Sequence, residues 1–115
     1  MRCVRPFSNW YLAEVFAPRG RVEERRAEAE RVHAAAAALA ARGVRVRHLH
    51  SVFVPDEETA FHLLEAERRI AVEHALRDAG LEAERISPAI AVAGGDTGEA
   101  PAPAVGRGSR SLPGR

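Results

Sequence analysis

The stretch VRVRHLHSVFVPDEETAFHLLEA, residues 44–66, decides the fold of this chain. Valine and histidine side chains alternate with arginine, leucine, serine and phenylalanine side chains over residues 44–54, which predicts a β-strand. The turn residues at 55–58 are followed by a second strand-like segment at 59–66, and a four-residue connection between two such segments is typical of an antiparallel hairpin. We therefore place a β-hairpin at the centre of the domain.

The alternation also predicts the register of that hairpin. One face of the first strand is expected to carry Val44, Val46, His48, His50, Val52 and Val54, and the other Arg45, Arg47, Leu49, Ser51 and Phe53. Pairing Val54 with Thr59 then places Val52 opposite Phe61, His50 opposite Leu63, His48 opposite Glu65 and Ser51 opposite His62.

Two helices and two more strands flank the hairpin. Strands are predicted at 10–16 and 84–92, the latter an edge strand because it contains Pro88, and helices at 21–41 and 67–79, with Gly43 and Gly80 ending the helices. The predicted apolar stripe of the first helix is Val22, Ala29, Val32, Ala36 and Leu39. That of the second helix is Ala71, Val72, Ala75, Leu76 and Ala79.

The resulting order is βαββαβ, which indicates an α+β protein with the ferredoxin-like fold, a four-stranded antiparallel sheet covered by two helices on one face. We assign residues 10–92 to this domain and residues 1–9 to an N-terminal extension. Residues 93–115 are rich in Gly, Pro, Ala and Arg and lack aromatic side chains, so we expect a disordered tail.

Both faces of the predicted sheet carry apolar side chains, and two helices cover only one of them. An uncovered apolar face of this size predicts a homodimer that packs sheet to sheet, in the manner of a dimeric α/β barrel. The alternative is that the N-terminal extension and the tail fold back over the open face.

Composition excludes several classes of function. The 17 basic and 16 acidic residues give a net charge of +1, which argues against nucleic acid and anionic membranes as partners. All basic residues are arginine, so chemistry that needs a lysine is excluded. The chain has one cysteine and no long apolar run, and residues 1–11 do not resemble a signal peptide. These features predict a cytoplasmic protein.

Three segments resemble a known family: His50-Ser51, the residues TAFH at 59–62, and EHALRDAGLEAERI at 73–86. The family is a small ferredoxin-like one, largely of unknown function, whose characterised members bind nickel. The resemblance covers residues 11–92. This sequence departs from the family at Glu82, where proline is usual, and at His62, where cysteine is frequent; Ala66-Glu67-Arg68 also replaces the usual Pro-Asp start of the second helix.

The resemblance implies a transition-metal site, with nickel as the expected ion and zinc or another divalent metal as alternatives. Imidazole nitrogens suit these ions, and the candidate ligands are His50, His62, His74 and a carboxylate from Glu14. His48 and His50 lie two residues apart on one strand, which permits joint ligation, whereas His33 is expected to be structural or solvated.

Two hypotheses for the function that need no metal stay open. One is a dimeric ligand-binding or regulatory module, which needs only an apolar cavity. The other is a small enzyme that uses histidine and glutamate for acid-base chemistry, for which His48 opposite Glu65 is the natural pair. No phosphate loop or nucleophile elbow is present, and no catalytic residue is assigned from the sequence.

Overall fold

The computed structural model describes residues 9–19 and 21–92, and these follow the predicted βαββαβ order. The strands are β1 (Asn9–Phe16), β2 (Val46–Val54), β3 (Thr59–Ala66) and β4 (Arg85–Ala89), and the helices are α1 (Val22–Ala41) and α2 (Arg69–Asp78). A single turn of 3₁₀ helix, Pro55–Glu57, connects β2 to β3. The predicted N-terminal extension, apart from Asn9, and the predicted tail lie outside the described residues.

The sheet has the strand order β2-β3-β1-β4, with every neighbouring pair antiparallel. This order, with two helices, confirms the ferredoxin-like α+β fold. β4 is an edge strand, as Pro88 predicted, because an edge strand tolerates the missing backbone N–H of proline.

The hydrophobic core lies between the two helices and one face of the sheet. Its fully buried large side chains include Val32 and Leu39 of α1, Val72 and Leu76 of α2, and Leu64 of β3. The predicted stripe of α2 is buried throughout. That of α1 differs at its start, because Val22 is 60% exposed whereas Glu28 is buried.

The hairpin register agrees with the prediction on one side of a β-bulge. The pairs Val54 with Thr59, Val52 with Phe61, Ser51 with His62 and His50 with Leu63 are all present. Between His48 and His50 the register shifts, so His48 lies opposite Leu64, and Arg47 lies opposite Glu65. The extra residue at the bulge is Leu49, and it reverses the facing of every residue before it.

The bulge makes two sequence predictions wrong. Val46 is buried in the core beneath the helices instead of sharing the face of Val52, and His48 points to the same side as Val46. The predicted pair of His48 with Glu65 does not form. Instead, Arg47 forms an ion pair with Glu65, with Arg47 Nη2 2.6 Å from Glu65 Oε1.

The face of the sheet away from the helices carries many apolar side chains together with the Glu14–Arg85 and Arg47–Glu65 ion pairs. We call it the open sheet face, and its large apolar residues include Trp10, Leu12, Phe16, Val52, Phe61 and Leu63, by strand alternation and pairing. Phe16 is 55% and Val52 49% exposed. Within the described residues, no helix combines the length and hydropathy needed to span a membrane.

Candidate functional site

A continuous chain of four polar side chains lies between α1 and the sheet. Glu28 Oε2 is 2.8 Å from His62 Nε2, His62 Nδ1 is 2.7 Å from Ser51 Oγ, and Ser51 Oγ is 2.8 Å from His48 Nε2. We call Glu28, His62, Ser51 and His48 the relay. His62 and Glu28 are 1% and 4% exposed, so most of the relay is shielded from water.

Three elements position the relay. Ser51 and His62 are cross-strand partners on β2 and β3, and their side chains point to the helix-covered face. Glu28 reaches them from α1, where it lies one turn before Val32 on the buried stripe. The bulge completes the set, because residues three apart on a regular strand face opposite sides, whereas His48 and Ser51 here face the same side.

Arg25 holds the second oxygen of the buried carboxylate. Its Nη1 donates to Glu28 Oε1 at 2.8 Å, and its guanidinium lies over the ring of Phe53, with Cζ 5.7 Å from the centroid. A buried carboxylate requires such partners, because it has lost its hydration. The Nε atom of Arg25 is buried and has no hydrogen-bond partner among the described residues.

The hydrogen bonds fix a direction for the protons of the relay. A carboxylate only accepts, so His62 Nε2–H donates to Glu28, and His62 Nδ1 then accepts a hydrogen bond from the Ser51 hydroxyl. A hydroxyl has one hydrogen, so His48 Nε2 is left to donate to Ser51 Oγ. Every donor in this assignment points towards Glu28.

His48 is held in its neutral form. Its pKa is lowered from 6.5 to about 4, chiefly by burial and then by the neighbouring His62 and His33. The rings of His33 and His48 meet edge to face at 5.6 Å between centroids, and those of His48 and His62 are 6.4 Å apart. Three imidazoles therefore lie close together at α1, and the charges of His62 and His33 disfavour protonation of His48.

A cavity of about 250 Å³ opens beside the relay. Two relay residues, Ser51 and His62, form part of its wall. The remaining lining residues are Val22, Arg25, Arg26, Ala29, Val52, Phe53 and Ala60. Two relay residues thus border a space with apolar walls and two arginines.

A second, larger cleft of about 580 Å³ lies between α2 and the chain leading into β4. Its walls carry arginines and glutamates, including the Arg69–Glu73 ion pair at 3.3 Å. It contains none of the relay residues.

The four predicted metal ligands are not brought together. His62 belongs to the relay, whereas His50 and Glu14 lie on the open sheet face, opposite Leu63 and Phe61 respectively. His50 is exposed, and Glu14 pairs with Arg85 at 3.7 Å. His74 is half-buried on α2. Across residues 9–19 and 21–92, no group of three or more His, Cys, Asp or Glu side chains has the geometry to hold a metal ion.

Sequence reasoning missed Glu28 as a site residue, although a signal was present. Glu28, Val32, Ala35, Ala36 and Leu39 recur at helical spacing, so a single carboxylate falls within the buried stripe of α1. A carboxylate at such a position requires a buried donor. His33, expected to be structural or solvated, is exposed and contributes its ring contact with His48.

No protein-family model matches the chain, and neither does any curated protein or solved structure. Fold and site therefore define the class by themselves: a ferredoxin-like α+β domain with a buried histidine and glutamate relay beside a small cavity.

Proposed function

We propose that this protein binds a small molecule in the cavity beneath α1 and acts on it by acid-base catalysis through the relay. One observation carries the proposal: Ser51, His62 and Glu28 are joined by hydrogen bonds of 2.7 and 2.8 Å, and the first two of them line that cavity. A hydroxyl, an imidazole and a carboxylate in this order form the arrangement by which proteins move protons to and from a bound substrate.

Each residue has a distinct role in this proposal. His62 accepts and returns the proton, and Glu28 fixes its tautomer and stabilises the imidazolium that forms. Arg25 positions Glu28 through the 2.8 Å ion pair. Arg26 lines the cavity and supplies positive charge, which favours a substrate that carries or develops negative charge.

The test is a screen of small carboxylic acids, esters and carbonyl compounds against the full chain, read by thermal shift and by backbone NMR. Binders are expected to perturb the signals of cavity residues such as Ala29 and Ala60. His62→Gln is expected to abolish turnover of any compound that reacts, whereas His74→Gln on α2 serves as the matched control and retains it. A screen in which no compound perturbs the cavity signals overturns the proposal.

Transition-metal binding is a second candidate, because two imidazole nitrogens lie on either side of one side-chain oxygen, Ser51 Oγ. His48 Nε2 and His62 Nδ1 both face Ser51 Oγ, and His62 makes with Glu28 the carboxylate contact typical of metal-binding histidines. The lowered pKa of His48 keeps that imidazole neutral, as ligation requires. An ion bound between these nitrogens requires the Ser51 side chain to move aside, and water completes its set of ligands.

Nickel and zinc titrations by calorimetry distinguish the two candidate ligand sets. If the ion binds at the relay, His48→Ala and His62→Ala reduce affinity at least tenfold, whereas His50→Ala and His74→Ala leave it unchanged. Lower affinity in His50→Ala and His74→Ala, with His48→Ala unchanged, favours the set His50, His62, His74 and Glu14 that the resemblance suggested. Equal affinity in all four variants removes the metal candidate.

Assembly and location complete the proposal. The apolar open sheet face supports a homodimer packed sheet to sheet. A cytoplasmic location accords with the single cysteine of the chain, which allows no intrachain disulfide.

A further inference from the structure

We propose that Ser51 is a nucleophile and that the cavity beside it accepts small esters or related acyl compounds, so that the protein forms a covalent acyl-serine. This inference rests on the proposed acid-base function, because it needs His62 as the base. It adds a reaction class and a substrate class to that function.

The geometry of Ser51 is that of an activated hydroxyl. Its Oγ lies 2.7 Å from His62 Nδ1, and the other nitrogen of that ring is fixed by Glu28 at 2.8 Å. A nucleophile within hydrogen-bond reach of a base, itself oriented by a third group, is the general signature of covalent catalysis by serine. In the commonest arrangement Nε2 faces the serine and Nδ1 the carboxylate, whereas here Nδ1 faces Ser51 and Nε2 faces Glu28. One nitrogen still accepts from the hydroxyl and the other still donates to the carboxylate.

Access distinguishes Ser51 from a purely structural hydroxyl. Ser51 is half-buried and forms part of the cavity wall together with His62, which places the residue beside any compound bound in the cavity. The volume of about 250 Å³ suits a small acyl group. Arg26, also at the cavity wall, is the candidate donor for the negative charge that develops on the carbonyl oxygen.

The step balances without any further reagent. Ser51 Oγ attacks the carbonyl carbon, and its proton passes to His62 Nδ1. The Oγ–C bond forms, the bond from carbon to the leaving oxygen breaks, and the proton on His62 is transferred to that oxygen. Water then attacks the acyl-serine with His62 again as base, which releases the acid and restores the hydroxyl.

Mass spectrometry of the full chain after incubation with a small alkyl fluorophosphonate tests the inference. In the expected result, fluoride is displaced and one adduct forms, which peptide mapping places on Ser51. p-Nitrophenyl acetate is expected to give a burst of one p-nitrophenol per chain, with the acetyl group on the same peptide.

Variants separate nucleophilic reactivity from folding. Ser51→Ala is expected to remove the adduct, and Ser87→Ala, at the half-buried serine of β4, to leave it unchanged. Glu28→Gln is expected to slow labelling at least tenfold, since general-base assistance contributes about 100-fold or more. Circular dichroism checks the fold of each variant. Peptide mapping of the adduct on the wild-type chain tests the inference even if a variant does not fold.

Two outcomes overturn the inference. One is an unmodified Ser51 in the wild-type chain at millimolar fluorophosphonate, and the other is an adduct only at another residue, such as Tyr11 or Cys3. If Ser51 stays unmodified while small molecules still perturb the cavity signals and His62→Gln still abolishes turnover, the acid-base function stands and the nucleophile falls. If those signals are also silent, both proposals fall.

Discussion

His48 Nε2 lies 2.8 Å from Ser51 Oγ, although the two residues are three apart on one strand and a regular strand would place them on opposite faces. The bulge at Leu49 brings them to the same side. Without it, His48 would lie on the open sheet face and the relay would end at Ser51. A local irregularity of the backbone thus determines which imidazoles meet beneath α1, and bulges commonly re-aim side chains in this way.

The first prediction concerns the buried carboxylate. Glu28→Ala leaves His62 Nε2–H and the guanidinium of Arg25 without their acceptor, and an unsatisfied buried donor costs about 1 to 3 kcal/mol. We expect the free energy of unfolding in urea to fall by that amount. Glu28→Gln retains one acceptor oxygen and is expected to cost less.

Glu23, an exposed residue of the same helix, provides the control. Glu23→Ala is expected to change the free energy of unfolding by less than about 0.5 kcal/mol. Equal effects of Glu23→Ala and Glu28→Ala would mean that the contact between Glu28 and His62 is not maintained in solution.

The second prediction concerns pH. The pKa of His48 is about 4 in the folded chain and 6.5 when unperturbed, so the unfolded chain binds a proton at a higher pH than the folded chain does. The contribution of His48 to stability is therefore complete above pH 6.5 and is lost as the pH falls towards 4. His33, His50 and His62 surround His48 and shift its titration.

The difference in free energy of unfolding between the wild type and a His48 variant separates the contribution of His48 from that of the carboxylates. The free energy of unfolding of the wild type and of His48→Asn is measured between pH 7.5 and 4. The wild type is expected to lose more stability over this range than the variant, and parallel curves would contradict the lowered pKa. NMR titration of the His48 ring provides the direct measurement.

The third prediction concerns the end of α2. Gly80 has a φ of +81°, with no atom near the position of a Cβ, so only the backbone conformation restricts substitution there. Gly80→Ala is expected to lower the free energy of unfolding by about 1 kcal/mol. Gly80→Asn is expected to cost less, because asparagine tolerates this region. An alanine variant as stable as the wild type would show that the chain relaxes at this turn.

Much of the fold follows from local pattern. Alternation located β3 to the residue, and the turn at 55–58 set four of the five predicted hairpin pairs. The glycines marked the ends of both helices. These features depend on neighbours in sequence, which periodicity and turn chemistry report directly.

The site follows from sequence only in part. The pairing of Ser51 with His62 was predicted from the register, but nothing in the local pattern reveals the bulge, because Leu49 alternates perfectly with its neighbours. The partner of His62 comes from α1, 34 residues away, and contacts at such separation depend on how the helix docks. The predicted pair of His48 with Glu65 does not form because the bulge turns His48 to the helix-covered face, where it joins the relay.

The last prediction concerns assembly, and the structure sharpens it. Phe53 and Leu64 both face the helices, and Leu64 is fully buried, so a charged residue at either position is expected to unfold the chain. The open sheet face is tested instead at Leu12, which lies opposite Leu63 near its centre. Leu12→Glu is expected to separate the dimer into folded monomers, because a charge at a packed apolar interface loses its hydration.

Light scattering coupled to size-exclusion chromatography measures the outcome, with circular dichroism as the check on folding. The wild type is expected to elute as a dimer at micromolar concentration and Leu12→Glu as a monomer of 12.5 kDa. Glu82→Ala, at an exposed residue between α2 and β4, serves as a control that stays dimeric. A monomeric wild type contradicts the dimer, and the apolar residues of the open sheet face then require a different cover.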